Sequence, residues 1–209
     1  MAIDVLLSGF EPFGGEESNP SWEAVRAAAP RLCERGIEAV ALELPVVFER
    51  AGQILLEAVR EHRPRLVLAT GLAAGRTSIT PERVAINIRD ARIPDDSGAQ
   101  PVDEPVVPGG PVGLFSTLPI KAMAAAARDV EVPAAVSQTA GTYVCNDVFY
   151  TLQHALDADP ELGGLRGGFV HLPSAEVIAV EPAAEALAAM IERALGTTAD
   201  LHISGGAEH

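Results

Sequence analysis

Cysteine is scarce in this sequence: Cys33 and Cys145 are the only two in 209 residues. Two thiols in a chain of this length make no disulfide framework, so both are expected reduced, and the cytosol is the natural compartment. Cations are also few, 15 Lys and Arg against 29 Asp and Glu, for a net charge of −14. The positive charges are scattered and form no basic patch, which argues against a nucleic-acid partner and against an anionic membrane surface. The five histidines, His62, His154, His171, His202 and His209, are too dispersed for a metal site, and neither CxxC nor HExxH occurs. The chain has no GxSxG elbow, no GxGxxG and no Walker loop. No apolar run approaches the length of a membrane span. The start, Met1 to Val5, has no basic n-region and no cleavage site, so no signal peptide is expected.

What remains is an ordinary globular composition, 48% hydrophobic and 21% charged. It is long enough to bury a full core as one domain spanning 1–209. Strand and helix patterns alternate. Strands are predicted at Val5 to Leu7, Glu38 to Leu44, Leu66 to Thr70, Ala134 to Ser137 and Gly168 to Leu172. Arg83 to Arg89 is predicted as a further strand with Val84, Ile86 and Ile88 on one apolar face. Helices are predicted from Asn19-Pro20-Ser21 onward, from Phe48 to about Glu61, from Pro119 to Val130, from Asn146 onward, and from Pro182 to about Leu195. The alternation predicts an α/β fold, a three-layer sandwich with a mostly parallel twisted sheet and helices on both faces. Pro94 to about Gly113 reads as a long irregular stretch of functional or mobile character. The tail from about residue 197 reads as weakly ordered.

Active sites in such folds lie at the carboxyl ends of strands, and four elements are expected to meet there: the loops Gly9 to Gly15 and Gly71 to Arg76, Cys145, and His171. Cys145 falls where a strand-like run gives way to an amphipathic helix. Unpaired N–H groups and the positive end of the helix dipole favour a thiolate at such a position; a buried structural cysteine is the alternative. Cys33 lacks such a setting and reads as structural. His171 stands at a strand end, stopped by Pro173, and suits a general base, or is a core histidine satisfied by backbone. Glu82 could orient a histidine as the third member of a nucleophile–base–orienter set, or pair with Arg83. Arg92 could aim a guanidinium at a developing oxyanion, or pair with Asp90 or Asp95. Backbone N–H groups at the start of the Cys145 helix are the firmer oxyanion donors. Phe10 and Phe13, two of only six phenylalanines, could clamp a flat neutral ring or serve as core aromatics beside a turn.

Taken together these segments resemble the pyroglutamyl peptidase I family. The resemblance rests on Gly9-Phe10-Glu11-Pro12-Phe13-Gly14-Gly15 with Asn19-Pro20-Ser21-Trp22. It extends to Pro81-Glu82-Arg83-Val84-Ala85-Ile86-Asn87 running on to Asp95, to Thr139 through Asn146, and to Gly168-Phe169-Val170-His171-Leu172-Pro173. It covers nearly the whole chain, in order. It implies a cytosolic cysteine peptidase that removes N-terminal pyroglutamate, with Cys145 as nucleophile, His171 as base and then acid, and Glu82 orienting His171. Phe10 and Phe13, joined by Tyr143 and Val144, match the substrate ring site. The family also implies a homotetramer and no cofactor. Leu72, where a Gln is expected, and Val46, where a Thr is common, depart from the pattern; so does Tyr143, where Phe is frequent.

The chemistry agrees with the resemblance. A pyroglutamyl group is a small neutral lactam without a free α-amine. Its pocket needs flat apolar walls and one or two backbone partners, and no charged residue. A catalytically silent protein that binds pyroglutamyl peptides on the same fold is the alternative reading. A third is an α/β enzyme acting on nucleosides or phosphate esters, which needs an anion site the sequence does not offer.

Overall fold

A computed structural model describes residues 3–197 and 199–206. The order of elements is β1 (Val5–Phe10), α1 (Pro20–Glu34), β2 (Ala39–Leu44), α2 (Arg50–His62), β3 (Leu66–Leu72), β4 (Thr80–Pro81), β5 (Val84–Ile86), β6 (Gly113–Phe115), α3 (Ile120–Asp129), α4 (Val144–Ala158), β7 (Arg166–Leu172) and α5 (Val180–Gly196). The main sheet runs β2-β1-β3-β7-β4. Its first four strands are parallel, and the short β4 is antiparallel to β7. The α/β expectation of a mostly parallel sheet with helices on both faces holds.

Side chains alternate across the strands and feed two cores. Val5, Leu7, Leu68, Val170 and Leu172 pack with Leu32 of α1, Met123 of α3, and Leu187 and Met190 of α5. Leu6, Phe10, Val67, Ala69 and Phe169 pack on the other face with Leu55 and Val59 of α2 and Val148, Phe149 and Leu152 of α4. The same two-residue period puts His171 on the face of Phe169, beneath α4. The strands are apolar almost throughout because both faces are covered.

The start of α1 follows the predicted signal. Asn19 caps it, its side chain accepting from the Ser21 N–H at 3.0 Å, with Pro20 in the first turn. The Ser21 hydroxyl accepts the Phe10 N–H at 3.0 Å, and the Asn19 amide donates to the Glu11 carbonyl at 3.0 Å. This cap therefore also fixes the loop that follows β1.

Three expectations are corrected. The strand over Arg83 to Arg89 shortens to β5, a two-stranded antiparallel ribbon with β6. Beyond it, Asn87 and Arg89 bond to Val112 and Glu104 of the long loop. The ribbon's buried residue is Ala85, while Val84 and Ile86 are half-buried: α4 approaches closely, with the Asn146 side chain bonded to both backbone groups of Ile86, and only a small residue fits between. Ala134 to Ser137 is no sheet strand; it makes two isolated parallel bridges to Ile79 and Glu82. Phe48 precedes α2 rather than opening it, because Glu49 takes a positive φ of 60°.

Residues of the tail contact the body of the fold. Asp200 caps α3 by accepting the Lys121 and Ala122 N–H groups, and the Gly205 carbonyl accepts from Arg83 and Gln138. Expectations for Met1, Ala2, Thr198 and 207–209, His209 among them, lie outside the described residues.

Candidate active site

His171 and Gly71 sit opposite one another near the ends of β7 and β3. Both point to the α4 face. Tyr143 is the N-cap residue of α4 and supplies no side-chain cap, so Cys145 falls in the first turn with its neighbours' N–H groups directed out of the helix. The Cys145 Sγ rests on Gly71: a Cβ built there would stand 2.7 Å from the sulfur. Adjacent strands are about 4.8 Å apart, so the thiol is delivered beside the imidazole.

Glu82 follows β4, which pairs with β7 through Thr80 opposite His171. Its carboxylate is fully buried, and Oε1 lies 2.7 Å from His171 Nδ1. That contact assigns the proton to Nδ1 and leaves Nε2 as the free base. Oε2 is buried without a partner. The structure thus brings Cys145, His171 and Glu82 to one place, and Glu82 bonds to the histidine rather than to Arg83. Arg83 turns instead to Gln138 and Gly205.

The electrostatics differ from the sequence expectation of a thiolate. Burial pushes the Cys145 thiol up to about 12; the Glu82 charge adds to this, while Arg76 and the cysteine's own N–H oppose it. Burial also pushes the His171 imidazole below its ordinary value, with Glu82 opposing and Arg76 reinforcing. Desolvation is the largest of the causes at both groups. Both directions favour a thiol beside a neutral imidazole at rest, with the histidine removing the proton during attack.

Three aromatic rings gather at the start of α4, among them Phe48, which the sequence did not single out. Tyr143 packs on Phe13 with ring centroids 5.8 Å apart and edge-on against Phe48 at 5.3 Å. Phe10 and Val144 are buried behind these rings, and Phe13 is half-buried. The Tyr143 hydroxyl donates to the Pro94 carbonyl at 2.9 Å, and burial, with Asp95 and Asp96 nearby, pushes it up to about 12. Val46 packs in the same core, and Leu72 is half-buried at the end of β3.

The long loop after Pro94 is stitched down. Asp95 Oδ2 accepts the Phe48 N–H at 2.9 Å, and its Oδ1 accepts from Ser97 and Ala99. Burial works against ionising Asp95, but these bonds hold its carboxyl below the usual range. Arg92 is exposed and pairs with neither Asp90 nor Asp95 among the described residues. Cys33 is exposed near the end of α1. His154 stacks on Tyr150 at 6.1 Å, away from the site.

Sequence reasoning missed Arg76, Phe48 and the Arg89–Asp147 pair. Arg76 was visible only as the end of a converging loop, and Phe48 only as a helix residue. Among the described residues no group of three or more His, Cys, Asp or Glu could hold a metal ion. A hollow of about 800 Å³ beside Arg63, Arg65 and Arg166 opens at the other end of the strands and is unrelated to this site.

The pyroglutamyl peptidase family profile matches residues 3–197. The chain is 49% identical to the pyrrolidone-carboxylate peptidase of Klebsiella pneumoniae over 215 residues, 98% of this chain and 99% of that one. It is 49% identical to that of Streptomyces coelicolor over 216 residues, with the same coverage. The crystal structure of pyroglutamyl peptidase I from Bacillus amyloliquefaciens superposes with a TM-score of 0.89 at 39% identity, covering 98% of this chain and 100% of that one. Pyrrolidone carboxyl peptidase from Thermococcus litoralis gives 0.85 at 32% identity, covering 97% and 99%.

Proposed function

The chain belongs to the pyroglutamyl peptidase family, and we propose that Cys145, His171 and Glu82 carry out its reaction. That reaction is removal of an N-terminal pyroglutamyl residue from a peptide by a cysteine-type peptidase. The observation that carries the assignment is the buried Glu82 carboxylate 2.7 Å from His171 Nδ1, with the Cys145 sulfur seated on Gly71, the residue in register with His171.

His171 Nε2 takes the thiol proton as Cys145 Sγ attacks the pyroglutamyl carbonyl carbon. The tetrahedral oxyanion forms at the open N-terminus of α4, where first-turn N–H groups stabilise it. Collapse expels the peptide amine, which takes the proton from His171, and leaves a pyroglutamyl thioester. Water then gives a proton to His171 and attacks the thioester, releasing 5-oxoproline and restoring the thiol. Glu82 holds the imidazole in one tautomer and stabilises the transient imidazolium. Arg92 is an outer support for the oxyanion: its guanidinium has no described ion-pair partner, and it lies two residues before the carbonyl that Tyr143 contacts.

Phe10, Phe13, Tyr143 and Val144 wall the lactam ring, with Phe48 behind Tyr143. No cofactor is required. We also read residues 1–209 as one catalytic domain, and propose a cytoplasmic homotetramer. Its two unpaired cysteines fit a reducing compartment. Val112 and Phe115, 92% and 70% exposed near the β5–β6 ribbon, offer apolar surface to a second copy. No described helix is long and apolar enough to cross a membrane.

The deciding assay is release of a fluorescent amine from a pyroglutamyl amide, with proline and alanine amides as controls, for wild type and Cys145→Ala. Turnover of the pyroglutamyl amide alone, abolished in the variant, is expected. Pyroglutamyl-peptide binding without turnover in folded wild type would instead favour the silent binding protein.

A further inference from the structure

Arg76 follows the tight turn after β3, its N–H bonded to the Ala73 carbonyl at 2.9 Å. Its guanidinium reaches three residues on two segments at once. Nη1 donates to Glu82 Oε1 at 2.6 Å and also contacts the Thr80 hydroxyl; Nη2 donates to the Thr139 carbonyl at 2.9 Å. Thr80 lies opposite His171 in the sheet, and Thr139 begins the loop that leads to Cys145. The same carboxylate oxygen therefore serves both Arg76 and His171 Nδ1.

We propose that Arg76 is a positioning residue of the peptidase reaction, one that balances the buried Glu82 charge so that His171 rests as a neutral base and that ties the cysteine loop to the Glu82 strand. This rests on the assignment of Cys145, His171 and Glu82 above.

Charge balance around Glu82 gives Arg76 this role. Glu82 is fully buried and its second oxygen has no partner. A buried carboxylate facing an imidazole draws a proton onto that ring unless another cation satisfies it. The charged and titratable groups described around His171 are Glu82 after β4, Arg76 from the turn after β3, and Cys145 on α4. Arg76 is the only cation among them. With it in place the group is neutral while the imidazole is unprotonated, which the general-base step requires. Without it, Glu82 and His171 form the ion pair, and Nε2 carries a proton it must lose before it can act. Arg76 is only a quarter exposed, so water does little to screen this effect.

The fork also matters. A lysine could restore the charge but donates from a single nitrogen, so it cannot reach Glu82 and Thr139 as the separate Nη1 and Nη2 do.

The test compares wild type, R76M and R76K on a pyroglutamyl amide across pH, with C145A alongside. In R76M the acid limb of kcat/KM should move up by about one pH unit, and kcat should fall at least about tenfold, with KM within about threefold. R76K should return the limb to the wild-type position with kcat only partly recovered. An unmoved limb in folded R76M, or a loss carried wholly by KM, overturns the proposal. If circular dichroism shows R76M unfolded, R76K decides: its limb at the wild-type position with reduced kcat supports the proposal, and a limb displaced by about a unit overturns it. Activity surviving in C145A would instead overturn the site assignment itself.

Discussion

The sulfur of Cys145 occupies the space that a side chain on Gly71 would need. A Cβ at 71 would stand 2.7 Å from Sγ and 2.9 Å from the Phe169 ring. Gly71 is in register with His171, so a bare backbone at this one position lets nucleophile and base share a face of the sheet. Gly71→Ala should leave the sheet intact and push the thiol off its seat. Misplacing a reacting atom by about 1 Å costs on the order of 100-fold in rate, and overpacking costs about 1–3 kcal/mol. Kinetics on a pyroglutamyl amide with a thermal melt check both. Wild-type kcat in this variant would mean the sulfur does not work from where it rests.

Glu82→Gln removes the acceptor that fixes the His171 tautomer while keeping shape and volume. Turnover should fall by about 10²–10⁴-fold, with circular dichroism unchanged. Full activity would remove Glu82 from the catalytic group.

The pH dependence has a definite sign. His171 works as a neutral base, and burial lowers its affinity for a proton below the ordinary 6.5. Full kcat/KM is therefore present at pH 7, and the acid limb falls below pH 6.5. Stability follows the same direction: the unfolded chain binds the proton more tightly, so the native state loses ground as pH falls through this window. At the alkaline side the thiol, pushed up to about 12, produces no ionisation near neutrality. A kcat/KM profile with its acid limb above pH 7 would show that the resting imidazole is protonated.

Much of this site was legible because each key residue sits at a local boundary. Asn19-Pro20 marks a helix start, Pro173 stops the β7 segment just beyond His171, and the Gly141-to-Asn146 run signals a turn into a helix. What could not be read depends on contacts distant in sequence. The face of β5 is set by how closely α4 approaches Ala85, and alternation alone assigns it to the larger Val84 and Ile86. A helix start, which favours a thiolate at Cys145, is visible in sequence; the desolvation that opposes it depends on tertiary packing and is not. Arg76 reaches across 63 residues to Thr139, and no spacing rule predicts that. The tail lacks periodic pattern, yet Asp200 caps a helix that begins 80 residues earlier.

Tyr143 tests the ring site without touching the reaction. Its hydroxyl bonds to the Pro94 carbonyl at 2.9 Å, tying the long loop to the start of α4. Tyr143→Phe keeps the ring against Phe13 and Phe48 and removes only that bond, worth about 1 kcal/mol. KM for the pyroglutamyl amide should rise about fivefold with kcat within about twofold. A fall confined to kcat would place Tyr143 in the chemical step instead.

Asp147, two residues after the nucleophile, is fully buried and anchors the first turns of α4. Oδ1 accepts from Arg89 Nε at 2.5 Å, and Oδ2 accepts the Glu49 N–H at 2.9 Å. Arg89 is itself nearly buried, and it also bonds Glu49 Oε1 and the Val106 carbonyl. One ion pair thus joins α4, the start of α2 and the long loop. Asp147→Ala strands the guanidinium with too few acceptors and should cost about 3–5 kcal/mol. Asp147→Asn keeps one acceptor and should cost less. Because the pair is buried, the loss should persist in high salt, where surface bridges are screened. Urea unfolding of the three proteins at low and high salt measures this directly. A loss below about 1 kcal/mol for the alanine variant would place the pair with ordinary surface bridges, and the rigidity of the nucleophile's helix would then have to come from its apolar face alone.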